Sequence, residues 1–229
     1  LAAACACLRR KLVPVVLEAE TPGASLARFG PTRFYTPVKM NLPVDVIAFA
    51  GGVPDLDAIL TGPEYARILE AAAASPQLAP YVQTHHRVTS ITRGVLSRAD
   101  MAGHPVRAEM PFRVVANDRV FEVDGVLDAT GTYGHPVPLA VPCSMVETIR
   151  DLGVLHARRG ELANRQILLT GHGHSAATAL LVLESLVREF PQTHVTWVTR
   201  SRNRRPIATV PSDTLPERDR VVSAANAFA

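Results

Sequence analysis

The sequence is poor in cysteine and in aromatic residues. Its three cysteines, Cys5, Cys7 and Cys143, form no C-x-x-C pair. This spacing argues against a disulfide framework and against a dithiol redox centre. Aromatic residues make up 5% of the chain and do not alternate with basic residues, so the pattern of a nucleic-acid-binding surface is missing.

The chain also lacks a strong charge imbalance and a long apolar run. The formal net charge is +3 over 229 residues, and 47% of the residues are hydrophobic, which suits one or two globular domains. The apolar stretch Leu1–Leu8 has no basic region before it and is followed by Arg9–Lys11, unlike a secretory signal. We therefore expect a cytoplasmic protein with a small-molecule substrate and with no nucleic-acid or membrane partner. The sequence leaves the oligomeric state open.

Two pairs of histidines lie close together, His85–His86 and His172 with His174. Neither pair is accompanied by a cluster of cysteine, aspartate or glutamate, which a metal centre would normally require. We therefore expect no metal site.

Residues 166–205 have the order of a dinucleotide-binding unit. The apolar run Gln166–Thr170 predicts a buried strand, and a glycine turn follows at residues 171–177. Apolar residues recur at helical spacing over Thr178–Phe190, and His194–Thr199 predicts a second strand. Strand, glycine turn, helix and strand follow one another in a βαβ nucleotide-binding unit.

The turn has the pattern Gly-x-Gly-x-x-Ala. Gly171 would let the chain leave the strand in a backbone conformation that a side chain resists. Gly173 would let the backbone approach a pyrophosphate closely. Ser175 would cap the helix or meet a phosphate, and Ala176 would let the helix pack close to the strand. The alternative is a tight strand–helix turn that binds no ligand.

The end of the second predicted strand distinguishes the two nicotinamide cofactors. NAD-binding units usually place an acid there, which accepts from the ribose hydroxyls. This strand ends instead at Thr199 and Arg200, with Arg202, Arg204 and Arg205 behind them. Because arginine grips a 2′-phosphate and an acid repels it, we predict NADP(H). A solvated basic loop is the alternative.

The amino-terminal part has the features of half of another such unit. Residues 1–12 predict a helix, and residues 13–18 predict a strand that ends in the carboxylate of Glu18. Glu18 would bind a ribose in that unit, or would be an ordinary exposed acid. Residues 21–63 are punctuated by glycine and proline, and a helix is predicted over Glu64–Ala74.

Strand patterns fill the region between the predicted helix and an Ala-Thr-Gly turn. A strand is predicted over residues 81–92, and a hairpin over residues 107–126 around Asn117–Asp118. The hairpin runs on into Asp128–Gly131, where an Ala-Thr-Gly turn would expose backbone N–H groups at the carboxyl edge of a sheet.

Three segments, taken in order, resemble the flavoproteins with two dinucleotide-binding domains. The segments are Val16–Glu18, Asp128–Gly131 and Gly171–Ala176, and the group contains thioredoxin reductases and flavin-containing monooxygenases. The resemblance implies an α/β fold of two Rossmann-like units, both incomplete here, with the NAD(P) unit inserted in the FAD unit. Residues 1–145 would form the FAD-binding domain and residues 146–229 the NAD(P)-binding domain.

The resemblance also implies the site residues. FAD would contact Glu18, Thr130 and Gly131. Asn41 lies where related monooxygenases place an active-site asparagine, although an ordinary loop turn is the alternative. The residues implied for NADPH are Gly171, Gly173, His174, Ser175, Ala176 and Arg200.

The chain departs from the family in three respects. It has no glycine-rich turn for FAD before the first helix, and it ends soon after the second strand of the NADP unit. The segment Gly153–His156 is also too short for the Phe-x-Gly-x-x-x-His fingerprint of the related monooxygenases. We expect an FAD- and NADPH-dependent oxidoreductase, with monooxygenation among its candidate reactions. The alternative is a truncated nucleotide-binding fragment without turnover.

Replacing Arg200 tests the cofactor prediction. The Arg200→Ala variant should lose about tenfold in affinity for NADPH and little for NADH, because only NADPH offers the 2′-phosphate. Parallel titrations of both cofactors measure this. An unchanged preference for NADPH would remove Arg200 from the site.

Overall fold

The computed structural model describes residues 1–96, 99–100, 102–133, 148–200 and 202–228. Two compact units interleave along these ranges. The first consists of Leu1–Ala24, Leu42–Val53 and the described residues from Arg67 to 133. The second consists of Ser25–Asn41, Pro54–Ala66 and the described residues from 148 onward. Cys143 and the predicted boundary between residues 145 and 146 lie outside the described residues.

The chain mixes helices and strands, as expected of an α/β fold. The α-helices are α1 (Ala2–Arg9), α2 (Ala24–Ala27), α3 (Val38–Asn41), α4 (Val44–Phe49), α5 (Gly62–Ala74), α6 (Val106–Glu109), α7 (Leu152–Ala157), α8 (His174–Glu189) and α9 (Pro216–Phe228). The strands are β1 (Val16–Leu17), β2 (Val82–Gln83), β3 (Val88–Arg93), β4 (Phe112–Ala116), β5 (Arg119–Val123), β6 (Gln166–Thr170) and β7 (His194–Val198). Short 3-10 helices cover Ala79–Tyr81 and Arg159–Leu162. None of the described helices is long and apolar enough to cross a bilayer.

The first unit packs α1, α4 and the part of α5 from Arg67 onward around a short parallel strand pair. β1 lies beside β2, with Val16 opposite Val82. The predicted first helix is shorter than expected, since Lys11 adopts a positive φ of 58° and ends it. The predicted strand over residues 13–18 is reduced to two paired residues, and Val13 is 81% exposed. The core of this unit contains Ala4, Cys5, Val46, Ala72 and Leu78.

An antiparallel sheet of three strands, in the order β3-β4-β5, completes the first unit. The single strand predicted over residues 81–92 is two strands, because His85 between them has a φ of 56°. The hairpin turn is where it was predicted, with Asn117 at a φ of 50°. The predicted first arm is shorter, since α6 occupies its beginning.

The second unit contains a βαβ arrangement built from β6, α8 and β7. The two strands pair in parallel from Gln166 opposite His194 to Thr170 opposite Val198. α8 covers them, and α9 packs on α8. The core between the two helices contains Ala177, Leu180, Ile207, Val221, Val222 and Ala225.

The two-stranded sheet of the second unit is covered on one face. Ile167 and Leu169 face the core under α8, whereas Leu168 is 64% exposed and Val198 48% exposed. The sequence predicted β6 as a buried strand, which is wrong for alternate residues. The alternation follows from the two-residue period of a strand with one packed face.

Helix α2 and the turn after it lie against two glycines with no room for a side chain. A Cβ on Gly62 would lie 2.0 Å from the carbonyl oxygen of Leu26, and one on Gly153 would lie 2.1 Å from that of Arg28. The close approach at Gly153 is fixed by Asp151, whose carboxylate accepts hydrogen bonds from the N–H groups of Gly153 and Val154 at 2.7 and 3.2 Å.

We therefore expect Gly153→Ala to lower the free energy of unfolding of the second unit by about 1–3 kcal/mol, the usual cost of overpacking. Urea unfolding followed by the fluorescence of Trp197, the single tryptophan, reports on this unit. Gly160→Ala is the matched control, because a Cβ at Gly160 meets no described atom within 4 Å. Equal unfolding midpoints for the two variants would contradict the predicted clash.

Candidate functional site

The glycine turn lies between the carboxyl end of β6 and the start of α8. Gly171 has a φ of 114°, which a side chain would resist. Its N–H donates to the carbonyl oxygen of Val198 at 3.0 Å, and the indole N–H of Trp197 donates to its carbonyl oxygen at 2.6 Å. The chain therefore leaves β6 with Gly171 fixed on both sides to β7.

Helix α8 begins earlier than the sequence predicted. Gly173 is the N-cap residue in an extended conformation, and the N–H of Ala177 donates the first helical bond to its carbonyl oxygen at 3.1 Å. The N–H groups of His174, Ser175 and Ala176 precede that bond and point out of the helix end, as the first N–H groups of any helix do. Ser175 lies inside the first turn, so the prediction that it caps the helix is wrong.

This helix end is chemically suited to an anion. N–H groups at a helix N-terminus and the helix dipole together attract phosphate. A Cβ built on Gly171 or on Gly173 would meet no described atom within 4 Å, so the backbone is open to close approach. Ala176 is 8% exposed and Ala177 fully buried, which lets α8 pack directly behind the turn. The open backbone and the helix end are compatible with an anion, and pyrophosphate binding at this turn stays a prediction.

Tyr35 packs against the first turn of α8 from a distant part of the sequence. Its hydroxyl oxygen lies 3.2 Å from Oγ1 of Thr178 and 3.4 Å from the carbonyl oxygen of His174. Its ring meets the His174 ring edge-on, with centroids 5.3 Å apart. Desolvation raises the pKa of Tyr35 above its usual value. Tyr35 could not be predicted from the sequence, because nothing in its neighbourhood indicates a partner in residues 174–178.

An ion pair lies on another side of His174. Arg218 donates two hydrogen bonds to the Asp213 carboxylate, both at 2.7 Å, and the Asp213 side chain is 4% exposed. The hydrogen bond from Arg218 is the main reason that the pKa of Asp213 is lowered, and the nearby His174 acts in the same direction. Both residues line a small cleft with His174.

Arg200 lies two residues beyond the end of β7 and is exposed. Arg202, Arg204 and Arg205 are exposed as well. Their placement at the carboxyl edge of the sheet, after the second strand of the βαβ unit, is the one that the 2′-phosphate prediction requires. The contact itself stays a prediction.

The residues predicted to meet FAD belong to the first unit. Glu18 directly follows β1, and its carboxylate accepts from the N–H of Glu20 at 3.1 Å. Thr130 donates to the Asp128 carboxylate through its N–H at 3.0 Å and its hydroxyl at 2.7 Å. Gly131 has a φ of 68°, and a Cβ built on it would meet no described atom within 4 Å. Each of these bonds is local to its own segment, so contact with FAD stays a prediction.

The amide of Asn41 is engaged in holding its own loop. Nδ2 donates to the Tyr65 hydroxyl at 2.6 Å and to the carbonyl oxygen of Thr36 at 2.9 Å, and Oδ1 accepts from the Thr36 hydroxyl at 2.7 Å. These bonds link the end of α3 to the buried Tyr65 of α5. The ordinary structural role explains Asn41 fully, and its catalytic role stays a prediction.

Comparison with family models and with curated proteins finds no match. The chain is similar to several solved structures. The cadaverine monooxygenase DfoA of Erwinia amylovora, solved with FAD, is 17% identical with a TM-score of 0.58, over 86% of this chain and 48% of DfoA. A flavin monooxygenase variant from Stenotrophomonas maltophilia is 17% identical with a TM-score of 0.55, over 89% of this chain and 53% of that one. OTEMO, solved with FAD and NADP, is 13% identical with a TM-score of 0.53, over 94% of this chain and 40% of that one.

These similarities show the fold. The chain has the Rossmann-like α/β fold of the FAD/NAD(P)-dependent oxidoreductases, as the sequence predicted. It spans about half the length of the first solved structures that it matches.

The Asp213–Arg218 pair predicts a pH dependence of stability. The pKa of Asp213 is lower in the folded state, so the pair stabilises the fold above the usual aspartate pKa of 3.8 and loses this effect as the pH falls through the folded value. Arg218→Gln should therefore unfold more easily than the wild type at neutral pH, and the difference should shrink below about pH 4.

Urea unfolding at a series of pH values measures this. Arg188→Gln is the matched control, because Arg188 is 77% exposed in its pair with Glu184 and should contribute little. A difference between Arg218→Gln and wild type that does not change with pH would contradict the prediction.

Proposed function

We propose that this chain binds NADPH at the glycine turn of its second unit and FAD at its first unit, as part of an NADPH-dependent flavoprotein oxidoreductase. The observation that carries the proposal is the arrangement of β6, the turn, α8 and β7. It places an open glycine backbone and the free end of a 16-residue helix at the edge of a parallel sheet. Three structural neighbours support the proposal. DfoA and the Stenotrophomonas protein are named as monooxygenases, and DfoA was solved with FAD. OTEMO was solved with FAD and NADP.

Each residue would have a defined task at the nicotinamide cofactor. The N–H groups of His174, Ser175 and Ala176 would bind the pyrophosphate, with Gly171 and Gly173 allowing its approach. Arg200 would pair with the 2′-phosphate and so favour NADPH over NADH. These contacts orient the cofactor and need no acid or base from the chain.

Three residues of the first unit would hold FAD. The Glu18 carboxylate fits the ribose hydroxyls, since it follows a parallel strand at its carboxyl end. Thr130 and Gly131 would present backbone beside the flavin. When both cofactors are bound, NADPH supplies a hydride and the flavin accepts it.

Monooxygenation of a small molecule is our proposal for the second half-reaction. DfoA and the Stenotrophomonas protein are named as monooxygenases. A reductase that passes electrons to a disulfide would use a dithiol, and the sequence has no C-x-x-C pair. Asn41 is proposed as a residue near the flavin, and the cytoplasm as the compartment.

Cofactor binding by the purified chain tests the proposal. Trp197 is bonded to Gly171 and is the single tryptophan, so its fluorescence should respond to NADPH at the turn. A chain that also becomes yellow with FAD and oxidises NADPH is the expected oxidoreductase. A chain that binds NADPH without holding FAD or turning over would be the alternative, a non-catalytic nucleotide-binding fragment. No response to NADPH would refute both.

Gly173→Ala provides the variant for this test. The φ of −90° at Gly173 suits alanine, and a Cβ built there would meet no described atom within 4 Å. The free energy of unfolding should therefore change by about 1 kcal/mol at most. NADPH affinity should fall about tenfold or more, because the added methyl group occupies space that the pyrophosphate needs. Gly160→Ala should leave binding unchanged. Wild-type affinity in Gly173→Ala would count against pyrophosphate binding at this backbone.

A further inference from the structure

We propose that Tyr35 is a positioning residue for the nucleotide-binding turn, because its hydroxyl fixes the peptide group between His174 and Ser175. This inference rests on the proposed NADPH site. It adds a residue that the family resemblance and the sequence patterns do not indicate. Tyr35 belongs to the same unit as the turn but lies 139 residues before His174.

Two hydroxyl groups, those of Tyr35 and Thr178, lie next to the carbonyl oxygen of His174 and next to each other. The Thr178 hydroxyl lies 3.1 Å from it as a donor. The Tyr35 hydroxyl lies 3.4 Å from the same oxygen and 3.2 Å from Oγ1 of Thr178. One arrangement uses both protons: Thr178 donates to the carbonyl oxygen, and Tyr35 donates to Thr178. The tyrosine thus holds the threonine hydroxyl on this carbonyl.

The same peptide group carries the N–H that would face the ligand. A trans peptide is planar, so the carbonyl of His174 and the N–H of Ser175 point in opposite directions from one rigid plane. Fixing the carbonyl oxygen therefore fixes the direction of the Ser175 N–H. That N–H is among those at the helix end with no helical acceptor. Tyr35 acts on the proposed pyrophosphate site through this plane.

The surroundings of Tyr35 keep its hydroxyl a donor. Burial is the main reason that its pKa is raised, Glu217 raises it further, and Thr178 and Arg220 lower it. The net direction is upward, so the phenol stays protonated at neutral pH. Its ring contact with His174 does not need the hydroxyl. Tyr35→Phe therefore removes the hydrogen bond and retains the packing.

The test compares Tyr35→Phe with Tyr65→Phe. Tyr65 is 1% exposed in the same unit, and its hydroxyl bonds Asn41 and not α8. The two probes are NADPH and adenosine 2′-phosphate, which shares the 2′-phosphate but has no pyrophosphate. Trp197 fluorescence measures both dissociation constants, and urea unfolding measures stability.

We expect Tyr35→Phe to raise the dissociation constant for NADPH by about three- to tenfold, the net effect of one hydrogen bond. Binding of adenosine 2′-phosphate should be unchanged. Tyr65→Phe should lower stability without changing either constant. Thr178→Val should weaken NADPH binding as well, and the double variant should be no weaker than the worse single one, because both hydroxyls act on one carbonyl.

Three results would overturn the role of Tyr35 alone. These are wild-type NADPH affinity in Tyr35→Phe, an equal loss for both probes, and additive effects in the double variant. A wild-type chain that binds no NADPH is a separate outcome. It would refute the proposed function, and this inference with it.

Discussion

The second unit depends on the double attachment of Gly171 to strand β7. The Gly171 N–H is bonded to Val198 and its carbonyl oxygen to the Trp197 indole, so the first residue after β6 cannot move away from the neighbouring strand. Its positive φ then directs the chain towards the start of α8, where Gly173 ends the turn. The position of the helix start relative to the sheet follows from these two bonds.

The apolar runs of the strands and the helical spacing between them predicted the fold of the second unit well. Both strands were located to within a residue, because an apolar run bounded by polar residues and glycine has few other solutions. The helix start was placed four residues late, since His174 and Ser175 were assigned to the turn. α9 was not predicted, because its first turn is rich in charge and only Val221, Val222 and Phe228 among its residues are large and apolar. Acidic residues in that turn, Glu217 and Asp219, suit the positive end of a helix.

Features that depend on distant residues could not be predicted in this way. Tyr35 reaches His174 across 139 residues, and Asn41 reaches Tyr65 of another helix. No local period or spacing encodes such pairs, because they form only when separate segments pack together. The left-handed conformation of His85, which divides a predicted strand, could not be predicted either, since only a small minority of non-glycine residues adopt it even though histidine is enriched among them. The sequence therefore predicted the parts of the candidate site that are close together in the chain, but not the contacts between distant segments.

The uncovered face of the β6–β7 sheet has an energetic consequence. Leu168 and Val198 are both close to half exposed or more, and burying such a side chain fully contributes about 1.5–3 kcal/mol. Among the described residues, α8 is the main element packed on these two strands, and its first turn is also where the proposed nucleotide site lies. A substitution that loosens α8 should therefore lower the stability of the strands together with any binding at that turn.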